Sequence, residues 1–428
     1  MYPKHSPQRF PTSLRVSSFS NYDEPGNRER VARLAAMGVD VWGPERVYIA
    51  ADVPLENIAP GASLVNATLS GRDTRIGPGS RIGASGHARV ENCQIGRDVE
   101  LGAGSYQNAT LLDSVRVRGF AEIREGTLLE EHVNVAHSAA FKNTILTATV
   151  VTGSLINFCD LFMSGGTSRE DHSEVGSGAI HFNFDPRGDK WGSLLGDATG
   201  VLLRSSPIFI GGNSGLVGPV AVDFGAVVAA GSIVRRDVGA NCVHAGAMQS
   251  QEAQPFDRER YALLGRKFIQ TARLVGTLHA LDAWYEHVRL PYATDGQKPL
   301  YEAARRQIER HIAERAARLQ HIITKIDRSL IKWEQAPGES GARCIAEHRL
   351  LLADRERIGT ALLQPGPPPS PPPLEFIEAY QKSDAAGGHV ARVRGLDAVT
   401  AEACADWLRT IAAQPPRNVG ELLGTPKS

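Results

Sequence analysis

The chain has 428 residues, and its 47 Lys and Arg balance its 47 Asp and Glu, so its formal charge is zero. This balance argues against nucleic acid or an anionic membrane as the main partner. With 42% apolar residues the chain can bury a sizeable core, but it has no apolar run long enough to span a membrane and no apolar N-terminal stretch typical of a signal peptide.

Residues 1–46 are predicted to form a flexible N-terminus and a capping helix. Residues 1–27 are rich in Ser, Pro, Asn and charge, a composition typical of poorly ordered chain. A short helix is predicted from Arg28 to Met37, and Gly38 ends it. We expect this helix to cover the open end of the structure that follows, where core and strand edges need protection.

A six-residue period organises residues 47–246. Apolar residues fall at every sixth position, at Val117, Ile123, Leu129, Val135 and Phe141, and again at Ile210, Leu216, Val222, Val228 and Val234. An α-helix repeats near 3.6 residues and a strand alternates every two, so neither explains this period. A hexapeptide-repeat parallel β-helix does, because each apolar residue points inward and stacks on its equivalent in the next coil. The sequence therefore predicts a mainly β fold, a parallel β-helix with a C-terminal α-helical extension.

Glycines beside the inward positions support this interpretation. They occur in stretches such as Ile76-Gly77-Pro78-Gly79 and Leu101-Gly102-Ala103-Gly104, and glycine permits the backbone angles of a tight corner. The alternative is a β-sandwich of many short strands, whose spacing would drift with its turns. The constant register through five consecutive positions in two places favours the β-helix.

Two interruptions break the six-residue register, at residues 161–173 and 186–206. Loops that leave an otherwise regular solenoid often carry function, and the alternative is a tolerated surface insertion. For the second loop, the motif that flanks it favours function.

From Asp257 the apolar period becomes helical. Residues 247–363 are predicted to form an α-helical hairpin or bundle that packs on the β-helix or on partner subunits. Residues 364–373 are a Pro-rich linker, interpreted as a stiff spacer, with docking to an unidentified protein as the alternative. Residues 374–428 are predicted to be a C-terminal helical tail.

The five cysteines, Cys93, Cys159, Cys242, Cys344 and Cys404, lack C-x-x-C spacing. We expect reduced thiols in a cytoplasmic protein and no metal site.

The stretch Val175–Asp185, which contains His181-Phe182-Asn183-Phe184-Asp185, resembles the acetyltransferase half of bacterial bifunctional N-acetylglucosamine-1-phosphate uridyltransferases, as do Leu216–Val222 and Val228–Val238. The resemblance covers residues 47–243. It implies a left-handed β-helix, a homotrimer with ligand sites in clefts between neighbouring β-helices, and acetyl-CoA as co-substrate. The chain shows no pyrophosphorylase-type phosphate loop, so it gives no support for the uridyltransferase reaction.

The same resemblance implies the binding residues. Arg124 and Lys142 correspond to the arginine and lysine that bind the phosphate end of the ligand, and a guanidinium with an ammonium suits that chemistry. Asn183 and Phe184, followed by Asp185, correspond to the family's Asn-Tyr-Asp stretch at the sugar. Gly212 and Ala230 fall on positions near the acetyl-CoA arm.

The catalytic base departs from the family pattern, because Ser154 occupies the position of the family histidine. An unassisted serine is a poor general base. A shifted register would place Asp160 there, and His172 and His181 are further candidates because histidine titrates in the useful range. For each histidine a structural role is the alternative.

Three functions stay open from the sequence. The first is an acetyltransferase that acts on an amino-sugar phosphate or UDP-amino sugar, related to UDP-N-acetylglucosamine biosynthesis. The second is a non-catalytic nucleotide-sugar-binding regulator or scaffold that has lost the base. The third is a purely structural trimer that binds neither ligand.

Overall fold

The computed structural model describes residues 25–246, 256–335, 341–367, 369–383 and 387–424. It opens with helix α1, Pro25–Ala36, in place of the helix predicted from Arg28. Asn27 ties this helix to the second strand, since its Nδ2 donates to Val47 O at 3.0 Å and its Oδ1 accepts from Ile49 N at 2.9 Å. The helix therefore packs on the first coil of the β-structure.

The β-structure consists of short parallel strands arranged in about 11 coils. The strands are β1 Asp40–Val41, β2 Val47–Ile49, β3 Ser63–Leu64, β4 Ala67–Ser70, β5 Arg75–Ile76, β6 Arg81–Ile82, β7 Ala88–Glu91, β8 Gln94–Ile95, β9 Glu100–Leu101, β10 Gly104–Gln107, β11 Thr110–Leu111, β12 Arg116–Val117, β13 Ala121–Ile123, β14 Leu128–Leu129, β15 Asn134–Val135, β16 Ala140–Leu146, β17 Val151–Thr152, β18 Asn157–Met163, β19 Glu174–Val175, β20 Ile180–Phe182, β21 Ser193–Leu195, β22 Phe209–Ile210, β23 Gly215–Val217, β24 Ala221–Val222, β25 Val227–Val228, β26 Ile233–Val234 and β27 Val243–His244.

Three faces result from the pairing of these strands. Face A is the eleven-stranded sheet that begins with β1, β3 and β6 and ends with β25 and β27. Face B contains β2, β4, β7, β10, β13, β20, β23, β26 and the first halves of β16 and β18. Face C contains β5, β8, β11, β14, β21, β24 and the second halves of β16 and β18. Each coil passes once through every face, which makes the molecule a three-sided prism.

The inward positions are those given by the six-residue period. Val117 pairs with Val135, and Ile123 pairs with Phe141, in adjacent coils. Every one of the ten apolar residues in the two predicted runs is at most 2% exposed. The predicted parallel β-helix with a helical extension is confirmed, and its geometry is consistent with a left-handed coil.

Strands β16 and β18 turn the corner between faces B and C without a break. The turn lies at Asn143 in β16 and at Asp160 in β18, where φ is 45° and 61°. Asn and Asp tolerate this left-handed region better than other residues with a side chain. The corner therefore presents short polar side chains in consecutive coils.

The first interruption begins later than the sequence indicates, and the second begins earlier. Strand β18 continues to Met163, so the first loop begins at Ser164. Strand β21 divides the second interruption into two loops, residues 183–192 and residues 196–208. An apolar Leu194 and Leu195 hold β21 on face C, and the six-residue period alone does not reveal this return.

The helical region covers face C. Its helices are α2 Leu264–Trp284, α3 Lys298–Ile323, α4 Ile326–Gln335, α5 Gly341–Ala353, α6 Arg355–Leu363, α7 Leu374–Lys382, α8 Gly388–Arg394, α9 Ala398–Ala412 and α10 Gln414–Leu422. Outward side chains of face C, including Leu128, Ile145 and Phe162, form a second apolar core with these helices. Each such side chain adds about 1.5–3 kcal/mol when it is buried, so the helices are fixed to the chain's own β-helix.

The described residues of the Pro-rich segment pack on the last two helices. Trp407 Nε1 in α9 donates to Ser370 O at 2.8 Å, and Asn418 Nδ2 in α10 donates to Pro365 O at 2.6 Å. Docking of this segment to another protein stays a prediction. None of the described helices combines the length and apolar character needed to cross a membrane.

Candidate functional site

Arg124 and Lys142 lie side by side at the end of face B, next to the B–C corner. Arg124 N donates to Phe141 O at 2.9 Å, which places Arg124 beside Lys142 in the next coil. Lys142 in turn pairs with Cys159 in β18. Because neighbouring strands are about 4.8 Å apart, the three side chains form one row on one surface.

Both cations are partly accessible, with 33% of each side chain exposed. Lys142 Nζ is 2.6 Å from Glu125 Oε1, and this bond, against a smaller effect of burial, holds the pKa of Glu125 below its usual value. Arg124 Nε is 3.9 Å from Glu122 Oε1, and Nη2 is 3.8 Å from Cys159 Sγ. The Nε atom is buried and has no hydrogen-bond partner within the described part of the chain.

A third cation, Lys190, joins this row from the loop of residues 183–192. The loop folds back through an antiparallel bridge between Phe184 and Lys190. Burial and the charge of Asp160 raise the pKa of the Cys159 thiol, while Arg124, Lys190 and Lys142 oppose that rise. Arg124 and Lys142 therefore lie next to one thiol, on which the charge of Lys190 also acts, and we call Arg124, Lys142 and Lys190 the cation cluster. No ion pair of Lys190 occurs among the described residues.

Asp160 lies at the corner beside the cluster, and both of its carboxylate oxygens have hydrogen-bond or ion-pair partners. Its Oδ1 is 2.5 Å from Arg315 Nη2 of α3 and accepts from Asn143 Nδ2 at 3.1 Å, and its Oδ2 accepts from Asn183 Nδ2 at 2.6 Å. Burial raises its pKa, but Arg315, His311 and the two amides outweigh burial and hold the pKa below its usual value. A carboxylate in this state is a weak base.

His181 is buried inside face B, where both ring nitrogens are bonded. Its Nδ1 is 2.6 Å from Cys159 O and its Nε2 is 2.8 Å from Ser193 Oγ. A carbonyl oxygen only accepts, so Nδ1 carries the proton and Nε2 accepts from the serine hydroxyl. Burial lowers the pKa of His181 to about 4. The ring is therefore neutral at pH 7 and offers no accessible lone pair.

The other proposed base lies on a different edge of the prism. His172 belongs to the loop of residues 164–173, which connects face C to face A, and its Nδ1 is 2.8 Å from Arg169 O. Its Nε2 is 3.7 Å from Glu174 Oε2, and 21% of its side chain is exposed. The structure thus places Asp160 and His181 beside the cation cluster but not His172. Ser154 lies at the corner between faces A and B, where its N–H donates to Ser177 Oγ at 3.0 Å.

The remaining predicted binding residues lie in two places. Phe184 is 60% exposed beside the cluster. Asp185 instead organises the loop, since its Oδ1 accepts from Arg187 N at 2.9 Å and its Oδ2 accepts from Trp191 Nε1 at 3.4 Å. Gly212 and Ala230 stack in consecutive coils at the A–B corner, away from the cations of the same chain.

Two features of this site escape the sequence interpretation. Lys190 lies inside an interruption, where the six-residue register no longer indicates its direction. Arg315 comes from a helix 155 residues after Asp160, and no local spacing connects them. The turn-forming composition between Phe184 and Lys190, with Pro186, Gly188 and Asp189, is a signal that could have indicated a return hairpin.

Comparison with known proteins agrees with the resemblance drawn from the motifs. The chain is 32% identical to the bifunctional protein GlmU of Trichlorobacter lovleyi over 216 residues, which is 49% of this chain and 42% of that protein. It is 28% identical to GlmU of a Geobacillus species over 238 residues, 55% of this chain and 46% of that protein. GlmU of Thermotoga petrophila is 26% identical over 218 residues, 50% of this chain and 44% of that protein.

About half of the chain is therefore homologous to GlmU, and the chain spans less than half the length of these curated relatives. No protein-family model matches the chain.

Proposed function

We propose, on the premise of this homology, that the β-helix binds an amino-sugar phosphate or a UDP-amino sugar through the cation cluster. The role is related to UDP-N-acetylglucosamine biosynthesis. The observation that carries the proposal is that Arg124 and Lys142 lie side by side in consecutive coils next to Cys159, with Lys190 on the loop of residues 183–192 that is bonded to the same corner through Asn183 and Asp160. A guanidinium fork binds two phosphate oxygens at once, and ammonium groups add point charges without a fixed geometry.

The local charges favour a doubly charged ligand. Glu122 and Glu125 face Arg124 and Lys142, but each is a single carboxylate on a partly exposed side chain. A phosphate carries more charge and more acceptor oxygens than either carboxylate, so it competes with them for the same donors.

Asn183 is the residue best placed for the sugar. Its Nδ2 is held by Asp160 at 2.6 Å, which fixes the direction of the amide. Its Oδ1 has no hydrogen bond within the described residues and can accept from a sugar hydroxyl or amine. Arg315 thereby acts on the site through Asp160, as a positioning residue for this amide.

Acetyl transfer from acetyl-CoA to the sugar amine is the second candidate function, and the homology to GlmU favours it. This reaction needs a base with a free lone pair, and Asp160 and His181 are both engaged. His172 is the remaining predicted base, and it lies on another edge of the same chain. A ligand-binding protein without catalysis is therefore the function with the stronger geometric support.

We further propose that the chain forms a homotrimer and that it is located in the cytoplasm. The helices cover face C, whereas faces A and B expose apolar side chains such as Phe209, Phe182 and Ile233, each more than 40% exposed. These two faces are available for packing against other copies of the chain. All five cysteines are free, which favours a reducing compartment.

Isothermal titration of the full chain with UDP-N-acetylglucosamine and glucosamine-1-phosphate tests the binding proposal. We expect Arg124→Ala, Lys142→Ala and Lys190→Ala each to weaken binding at least about tenfold, which is the loss of one charge-assisted hydrogen bond. The matched control is Arg349→Ala, which removes an exposed arginine of the helical region that pairs with Glu334. Equal affinity in all four variants would contradict the proposal.

A thiol-release assay with acetyl-CoA and glucosamine-1-phosphate separates the two candidates. Turnover that is lost in His172→Ala supports acetyl transfer with His172 as base. Binding of the sugar nucleotide without acetyl-CoA binding or turnover supports the non-catalytic function.

A further inference from the structure

A second cleft lies between the first coils of the β-helix and the helical region, and no residue of the cation cluster lines it. Its volume is about 430 Å³. The β-helix contributes Arg75 and Arg97 to its walls, and the helical region contributes Tyr292, Tyr380 and Arg392. Residues from two separately packed layers therefore meet around one space, a common location for ligand sites.

Three arginines give the cleft its cationic character. Within the described part of the chain, Arg75, Arg97 and Arg392 form no ion pair with any carboxylate. Arg75 Nη2 donates to the neutral Asn57 Oδ1 at 3.0 Å, and Arg392 Nη1 donates to Tyr380 O at 3.5 Å. Their positive charge is therefore available to an anion that enters the cleft.

Two carboxyl groups also line the cleft, and among the described residues neither forms an ion pair with these arginines, although the charge of Arg97 acts on Asp113. Glu56 is exposed at the rim. Asp113 is bound by the backbone N–H of Arg97 at 2.8 Å, and burial, with a contribution from Glu131, raises its pKa. The arginine side chains outnumber the acidic ones, so a ligand of negative charge is favoured.

Tyrosine rings form the opposite wall, and their neighbours hold them in place. The rings of Tyr292 and Tyr380 are 5.5 Å apart at 57°. Tyr380 Oη is 2.7 Å from His389 Nδ1, and Gln381 Nε2 donates to Tyr292 Oη at 2.8 Å. Fixed aromatic faces of this kind bind a planar ring at low entropic cost.

The floor of the cleft holds buried polar atoms without partners. Arg289 lines the floor, is fully buried, and forms a close ion pair with Glu131. Its Nε and the Oε2 of Glu131 have no hydrogen-bond partner among the described residues. Buried polar groups in native structures are almost always satisfied by protein, water or ligand. Of these two residues only Arg289 lines the cleft, so its Nε favours an occupant with a hydrogen-bond acceptor.

We propose that this cleft is a separate binding site for a nucleoside phosphate. The base lies against Tyr292, whose ring is partly exposed and is supported from behind by the buried Tyr380, and the phosphate is bound by Arg97, Arg392 and Arg75. Since the walls belong to the β-helix and to the helical region, the ligand ties the two together and stabilises their contact. The chain then binds two ligand molecules, one here and one at the cation cluster.

Titration calorimetry and thermal unfolding of the full chain test this site, with AMP, UMP and inorganic phosphate as probes. We expect at least one nucleotide to bind and to raise the Tm, and inorganic phosphate to bind at least about tenfold more weakly because it lacks a ring. Arg97→Ala and Arg392→Ala should each weaken nucleotide binding at least about tenfold. The control is Arg81→Ala, an exposed face A arginine outside the cleft.

The double variant Arg124→Ala/Lys142→Ala distinguishes this site from the cation cluster. Nucleotide affinity that survives in this variant supports the second site, whatever happens to binding of the sugar phosphate. Affinity that is lost there but kept in Arg97→Ala and Arg392→Ala overturns it, as does the absence of binding by both nucleotides at millimolar concentration. Phosphate that binds as tightly as the nucleotides also refutes the assignment.

Discussion

Replacement of Arg315 by methionine tests how the helical region is joined to the site. The side chains of Arg315 and Asp160 are 1% and 3% exposed, so the substitution leaves a carboxylate buried without its cation. Removal of one partner from a buried ion pair costs about 3–5 kcal/mol. Asn143 and Asn183 keep their bonds to the carboxylate, so we expect a loss near the lower end, about 3 kcal/mol.

The pH dependence of this loss follows from the pKa of Asp160. In the intact protein Arg315 helps to hold that pKa below the unfolded value, so the stabilisation is present above the unfolded pKa and is lost as pH falls through the folded one. In Arg315→Met the largest of the groups that oppose burial is lost, and we expect the folded pKa to rise above the unfolded value. The variant therefore becomes more stable as pH falls. The difference between its unfolding free energy and that of the intact protein should be smaller at pH 5 than at pH 8.

Urea unfolding followed by far-UV circular dichroism at both pH values measures these differences. Arg315→Met/Asp160→Asn removes both charges and should recover most of the loss. Arg318→Met, one turn away, removes a surface pair with Glu314 that spans four residues of the same helix, and should change stability by less than about 0.5 kcal/mol. Two results would refute the reasoning. One is an Arg315→Met variant as stable as the intact protein, and the other is a loss of unfolding free energy that does not vary with pH.

Two further predictions concern the prism itself. Phe141→Ala removes a fully buried inward ring and should destabilise the chain by about 3–5 kcal/mol, whereas Phe184→Ala, at a side chain 60% exposed, should change the unfolding free energy by less than about 0.5 kcal/mol. Gly126→Ala combines a φ of +76° with a Cβ only 2.1 Å from Asn143 Oδ1, and should lower the Tm more than Gly188→Ala, where φ is +85° but no atom lies within 4 Å. Thermal unfolding of each pair checks the order, and equal effects within a pair would contradict the packing described here.

The position of Arg124 beside Lys142 follows from the sequence. The two residues are 18 positions apart, which is three hexads and one complete coil. Residues one coil apart lie next to each other on the same face, as the pairing of Lys142 with Cys159 continues into the next coil. The family resemblance implies that the two residues bind phosphate, and the six-residue repeat explains why they are adjacent.

The candidate bases show where a pattern of residues is insufficient. The sequence alone does not distinguish the three candidate bases, because His172, His181 and Asp160 each have a titratable side chain near the motif. Their availability depends on burial and on partners, such as Ser193 for His181 and Arg315 for Asp160. The partners of Asp160 in particular are distant in the sequence, so the residues next to Asp160 in the chain do not reveal the pKa or the hydrogen bonds of its carboxylate.

The repeating β-helix is the part of this protein that the sequence determines by itself. Each coil repeats the same inward, outward and corner positions, so a local six-residue pattern specifies the β-helix and the row that carries Arg124 and Lys142. The tertiary structure alone decided that the helices cover face C, that Lys190 returns to the cluster and that Arg315 reaches Asp160. These contacts join segments without a common repeat, and only the packing of whole side chains selects among the surfaces that such segments can cover.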